Sequence, residues 1–259
     1  MSGQAHKEMY FHGDGITLRF GGVVALSGVG FHVRRHSLHA IIGPNGAGKT
    51  SLFNVITGFY RMNEGEIVLE GSRISGLPPH AVARHGIVRT FQNLEIFTNM
   101  TVLENVLTGS HLLGTYGPLD FFLRTRRFYR EERELREKAE GYLDFVGLSA
   151  HRELPAGQLP FGSQRLLEIA RALAGEPRIL LLDEPAAGLN MKETAALGEL
   201  IRRIVERGIT VVMVEHDMDL VMRISDRILV LNYGEVIASG SPSEIQKDPS
   251  VIAAYLGEE

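Results

Sequence analysis

The sequence predicts an α/β fold, a parallel sheet wound with helices and interrupted midway by a long helical insertion. Three observations carry this. Two short, unbroken apolar runs, "RILLLDE" around Leu181 and "ITVVMVE" around Val212, have the length and composition of strands buried on both faces of a parallel sheet. Strand-like runs alternate with helical patterns before Leu94 and after Leu173, the rhythm of βαβ winding. Between those two points helical periodicity dominates. The 259 residues therefore read as one domain, 1–259, with a helical subdomain inserted at about 94–173.

The elements follow in order. "LHAII", Leu38 to Ile42, is a strand leading through a glycine-rich turn into "KTSLFNVITG", a helix stopped by Gly58. "EIVLEG" is a short strand ended by Gly71. In the insertion, "FYREERELREKAEGYLDFVGL" sets Leu135, Ala139, Tyr142, Leu143 and Val146 on one helix face. Arg130 with Glu134, and Glu134 with Lys138, are spaced for ion pairs on the solvated face. "QLPFGSQRLLEIARAL" begins a helix, since Pro160 and Gly162 suit a helix start and the apolar residues from Leu166 keep a helical rhythm. Read locally, Phe161 staples that start and Gly162 relieves a crowded turn. After the strand "RILLLDE" come the helix "MKETAALGELIRRIVERG", ended by Gly208, and the strand "ITVVMVE". "DRILVLNYGEVIASG" is a hairpin turning at Tyr233-Gly234, and "SEIQKDPSVIAAYLG" is a helical tail.

Composition narrows the function classes. With 27 Lys plus Arg against 31 Asp plus Glu, the net charge of -4 offers no electrostatic footprint for nucleic acid, which is not expected as a partner. The absence of cysteine fits a reducing compartment and excludes thiol chemistry. The opening "MSGQAHKEMYFHGDG" is polar and lacks a signal-peptide core. The longest apolar runs are far too short to span a bilayer. A soluble chain is expected, one that can still dock on a membrane protein.

The glycine-rich turn carries the chemistry. Gly43, Pro44, Asn45, Gly46, Ala47, Gly48, Lys49, Thr50 and Ser51 fit G-x-x-x-x-G-K-[ST] between a strand and a helix, the context that makes the pattern a P-loop. Its backbone N–H groups and the helix start are suited to phosphate oxygens. Lys49 is placed to reach the β- and γ-phosphates, the Thr50 hydroxyl to ligate Mg²⁺, and Ser51 to bond the α-phosphate. "ILLLDE" supplies the partners: Asp183 to hold Mg²⁺ through water, Glu184 to orient or deprotonate an attacking water. Alone, such a pair reads equally well as a helix cap.

With these motifs in this order, the chain resembles the ATP-binding subunit of an ABC transporter. The resemblance implies a P-loop NTPase (RecA-like) core, a helical subdomain insertion, an antiparallel β subdomain, and ATP with Mg²⁺ as ligands. In that family a helix start, usually L-S-G-G-Q, reaches across a dimer to ATP on the other subunit. "LPFGSQ" stands there, which implies that Gly162 and Ser163 contact the γ-phosphate in trans. Pro160 replaces the usual serine, Phe161 a glycine and Ser163 the glutamine, so one side-chain hydrogen bond is missing, which implies either a weaker ATP sandwich or compensation by Ser163 or Gln164. The same resemblance makes Phe20 an adenine-stacking residue, with a core position as the alternative. It makes Gln92 a sensor of Mg²⁺ or the lytic water, and His216 the histidine that contacts the γ-phosphate. Asn190, in "AAGLN", stands where most relatives have the aspartate that bridges to the opposite site.

Narrower features are similar to the ATPases of branched-chain amino acid importers: "ARHGIVRTFQNLEIFTNMTVLENV", "LPFG", "DEPAAGLN" and the ending "DPSVIAAYLG". The partners implied are membrane permease subunits, a second ATP-binding subunit (a copy or a sister chain) and, indirectly, a substrate-binding protein. The implied location is peripheral, on the cytoplasmic face of the inner membrane. The segment "LLGTYGPLDFFLRTRRFYR" either packs inside the insertion or helps receive a permease helix. Two other classes stay open at this point: a soluble ABC ATPase unconnected to transport, and a low-activity regulatory subunit.

Overall fold

The computed structural model describes residues 10–90, 94–111, 113–114 and 117–256; Gln92 lies outside them, as do Leu112, Thr115 and Tyr116. Its strands are β1 (Phe11–Phe20), β2 (Val23–Val33), β3 (Leu38–Ile42), β4 (Glu64–Leu69), β5 (Ser72–Arg73), β6 (Ile87–Arg89), β7 (Ile179–Asp183), β8 (Thr210–Val214), β9 (Arg227–Asn232) and β10 (Glu235–Gly240). Its helices are α1 (Lys49–Ile56), α2 (Pro79–Arg84), α3 (Val102–Gly109), α4 (Pro118–Leu123), α5 (Arg126–Val146), α6 (Phe161–Leu173), α7 (Met191–Glu206), α8 (Met218–Ile224), α9 (Pro242–Ile245) and α10 (Pro249–Leu256).

The chain divides into two compact units. The first runs to Arg89 and resumes with Arg178–Ala187 and from Thr194 onward; the second comprises Thr90–Pro177 and Gly188–Glu193.

In the first unit a six-stranded sheet has the order β10-β9-β3-β8-β7-β6, parallel except for the β9–β10 hairpin. Strands β3, β7 and β8 are buried at all five positions, which is why their sequences are continuous apolar runs rather than alternating ones. A second, antiparallel sheet has the order β2-β1-β4-β5. Phe11, Leu26 and Val29 from this sheet, Leu52, Phe53 and Ile56 from α1, and Leu181, Val212 and Leu231 from the parallel sheet share one core. Each such side chain contributes about 1.5–3 kcal/mol by leaving water. That core fixes where the strand ends of the parallel sheet, and the turn before α1, are presented. The hairpin turns as expected, with Tyr233 and Gly234 both at positive φ (46° and 79°), the conformation that follows the twist of the strands.

In the second unit α3, α5 and α6 pack against one another. Thr101 and Glu104 form a capping box at the start of α3, and left-handed Gly147 closes α5. Two local expectations change. Lys138 Nζ bonds Glu176 at 2.6 Å, a residue brought close by folding, so its ion pair is not with Glu134. The tail is two helices rather than one: α9 stops before Pro249, and the Asp248 carboxylate accepts the Ser250 N–H at 2.8 Å to start α10. Among the described residues no helix is long and apolar enough to cross a membrane.

Candidate nucleotide site

The turn from β3 into α1 is shaped by its backbone. Gly43 has φ 149°, and a Cβ there would lie 2.0 Å from the Leu231 carbonyl oxygen; Gly48 has φ 100°, and a Cβ there would lie 2.8 Å from the Ala25 carbonyl oxygen. Only glycine fits either position. Pro44, Ala47 and Lys49 are buried, whereas Asn45, Gly46 and Thr50 are exposed and Ser51 is half-buried. Lys49 folds back along the loop and donates from Nζ to the carbonyls of Gly43 (2.6 Å) and Pro44 (2.8 Å). Gly48 precedes α1, where no side-chain cap is found among the described residues, and a helix start of this kind suits an anion.

Asp183 and Glu184 follow β7. Asp183 is buried, and its Oδ2 accepts from Arg89 Nη2 at 2.6 Å. Glu184 has φ 47°, a left-handed backbone that a non-glycine residue adopts at a cost of about 1–3 kcal/mol and that clusters at functional sites. Its N–H donates to the Val214 carbonyl, and its Oε1 lies 2.8 Å from His216 Nε2. The parallel pairing of β7 with β8 sets these two loops side by side, with Asp183 opposite Val214. The sequence reading did not find Glu215. This carboxylate is buried and accepts N–H bonds from Ala186 (2.7 Å), His216 (3.0 Å) and Asp217 (3.4 Å). Burial pushes its pKa above the usual carboxylate range. It ties the loop after Glu184 to the loop holding His216; the sequence signal was a carboxylate directly before that histidine.

Phe20 ends β1 and is 47% exposed, so it is not a core residue. Its ring meets Tyr60 edge-on at 5.1 Å, an aromatic that sequence reasoning passed over.

In the second unit, α6 begins at Phe161 with no side-chain cap among the described residues. The Gln164 amide donates to the Leu159 carbonyl at 2.9 Å, which commits it locally. The Phe161 ring fills the space a side chain at Gly188 (φ 80°) would take, with the Arg165 guanidinium 5.6 Å from its centre. A Cβ at Gly162 would lie 2.7 Å from Glu193 Oε1. Asn190 caps α7: its Oδ1 accepts from the N–H groups of Lys192 and Glu193 (3.0 Å each), and Glu193 Oε2 accepts from the Asn190 N–H (3.0 Å).

A parallel sheet that delivers a P-loop, an Asp-Glu pair and a histidine from neighbouring strand ends defines a P-loop NTPase. Residues 26–187 match the family model described as ABC transporter, and residues 235–259 match the one described as Branched-chain amino acid ATP-binding cassette transporter. The chain belongs to the ABC transporter family, as one of its nucleotide-binding ATPase cassettes. It is similar to the high-affinity branched-chain amino acid transport ATP-binding protein BraF of Pseudomonas aeruginosa, 49% identical over 246 residues, which covers 95% of this chain and 96% of the relative. Among solved structures it is similar to the ADP conformation of an ATP-binding cassette of an ABC transporter (TM-score 0.85, 35% identity, covering 96% and 99% of the two chains). It is also similar to a dimeric, post-hydrolysis ATP-binding cassette bound to ADP and Pi (TM-score 0.75, 26% identity, covering 90% and 98%).

Proposed function

We propose that this chain hydrolyses ATP to drive branched-chain amino acid uptake through a membrane permease, working as a dimer of ATP-binding subunits on the cytoplasmic face of the inner membrane. A substrate-binding protein is an indirect partner. The observation that carries the reading is the Glu184–His216 contact at 2.8 Å, set beside Asp183 and across one sheet from the P-loop.

Phosphate oxygens of ATP are gripped by the N–H groups of the turn from Gly43 to Ser51, and Lys49 exchanges its two carbonyl partners for them. Phe20, steadied by Tyr60, stacks on adenine. A carboxylate oxygen of Glu184 takes the proton of the attacking water, and His216 and Lys49 face the charge on the transferring phosphoryl group. Left-handed Glu184 and the histidine hold each other in place, which is the orienting a general base needs.

The donor set suits Mg²⁺. Thr50 supplies an exposed hydroxyl and Asp183 a carboxylate, with Gln92 as a third candidate from outside the described residues. No group of three His, Asp or Glu side chains among the described residues is placed to cage a metal. When bound, Mg²⁺ neutralises charge on the phosphate oxygens. The second molecule contributes the Gly162 and Ser163 N–H groups at its uncapped α6 start.

Glu184→Gln tests the reading. It should bind ATP normally and lose about 10²- to 10⁴-fold in turnover, measured as phosphate release by the permease complex. Near-wild-type turnover would falsify the role given to Glu184.

A further inference from the structure

The carboxylate assigned to the metal already has a cation. Arg89 Nη2 donates to Asp183 Oδ2 at 2.6 Å, and the two side chains are 6% and 2% exposed. The other arm, Nη1, donates at 2.6 Å to Oδ1 of Asn54 on α1, the helix that the phosphate loop feeds. The guanidinium carbon sits 5.4 Å from the centre of the Phe53 ring on the same helix. Arg89 is thus held between α1 and β7 by both prongs of its fork, with little freedom left to lose. A buried ion pair at hydrogen-bond distance is screened far less than one in water, and a buried carboxylate stripped of its partner is expensive. A divalent cation arriving alone at Asp183 meets a competitor that is covalently present at all times. It also finds no cage of acidic or imidazole side chains among the described residues to make up the difference. A cation arriving with nucleotide phosphates brings most of its own oxygen ligands.

We propose that Arg89 is an internal counter-cation that occupies Asp183 and so admits a divalent metal there only in company with nucleotide. Arg89 touches neither nucleotide nor water in this scheme; it is a positioning residue, and it imposes an order in which metal and nucleotide enter as one unit. The inference rests on the assignment of Asp183 to Mg²⁺.

Mn²⁺ binding, followed by electron paramagnetic resonance, tests both. The full-length protein should show no tight Mn²⁺ site alone and one site with a non-hydrolysable ATP analogue. Arg89→Gln should gain a nucleotide-independent site, tightened by about tenfold or more. Its thermal midpoint should drop in EDTA and recover on adding Mg²⁺, whereas the wild-type midpoint should not respond to Mg²⁺ alone. Both effects should vanish in Arg89→Gln/Asp183→Asn, which no longer buries an unpaired carboxylate. A tight metal site in the wild type without nucleotide overturns the proposal, as does an Arg89→Gln protein with unchanged Mn²⁺ affinity. If Arg89→Gln does not fold, Arg89→Lys keeps a cation but cannot bridge Asn54 and Asp183 together; it should show the same gain in weaker form, and no gain counts against the proposal. Asp183→Asn separates the two failures. If it keeps the analogue-dependent Mn²⁺ site, the metal assignment falls and the inference with it; if it loses that site while the Arg89 variants change nothing, the inference alone falls.

Discussion

The starts of α1 and α6 are alike in role and unlike in construction. Both are helix N-termini with no side-chain cap among the described residues, the kind of end that suits an anion. The first is made of backbone. A side chain at Gly43 or Gly48 would collide with the main-chain carbonyls of Leu231 and Ala25, which belong to strands of the core and cannot retreat. The second is made of side chains. What stands over Gly162 is the end of the Glu193 carboxylate, and what fills the space at Gly188 is the half-exposed Phe161 ring. A cradle of main chain leaves its sequence no latitude, and this chain keeps the whole G-x-x-x-x-G-K-[ST] pattern. A tip assembled from side chains can be rebuilt by exchanging them together. Here the tip departs from L-S-G-G-Q, with Pro160 and Phe161 in place of serine and glycine.

The largest effect that tests this contrast is on stability. Gly43→Ala should cost about 3 kcal/mol or more, because a Cβ meets backbone at 2.0 Å and φ 149° is closed to alanine. Chemical denaturation measures it, and Gly162→Ala serves as the mild control. A Gly43→Ala protein as stable as the wild type would mean that the cradle yields after all. Next is Gly162→Asp, which sets a second carboxylate beside Glu193 and an anion where a phosphate is expected. Turnover of the assembled transporter should fall roughly a hundredfold while ATP binding by the isolated chain is unchanged; equal turnover would leave the α6 start with a structural role alone. The smallest is Asn190→Ala, about 1 kcal/mol in thermal or chemical unfolding, since it removes an N-cap. A loss of turnover without that loss of stability would point to a role across the dimer instead.

What the sequence made legible follows chain distance. The P-loop is nine consecutive residues, and Asp183, Glu184 and His216 stand at the ends of apolar strands, so local pattern was enough to find them. The hairpin at Tyr233-Gly234 was readable for the same reason. Arg89 was not, because its partners lie 94 and 35 residues away and a single arginine closing a three-residue strand carries no periodic signal. Glu176 captured Lys138 from 38 residues away, against the local spacing that favoured Glu134. Glu215 hid behind its neighbour: a carboxylate next to a histidine reads as part of the same motif until its three backbone donors are seen.

The cap at the head of α7 has a consequence of its own. An amide oxygen and a carboxylate oxygen accept backbone N–H bonds about equally well in that setting, so this helix does not distinguish asparagine from aspartate. An aspartate at position 190 could therefore keep the same two N–H bonds at the head of α7, now with its charge set against the helix N-terminus and beside the Glu193 carboxylate.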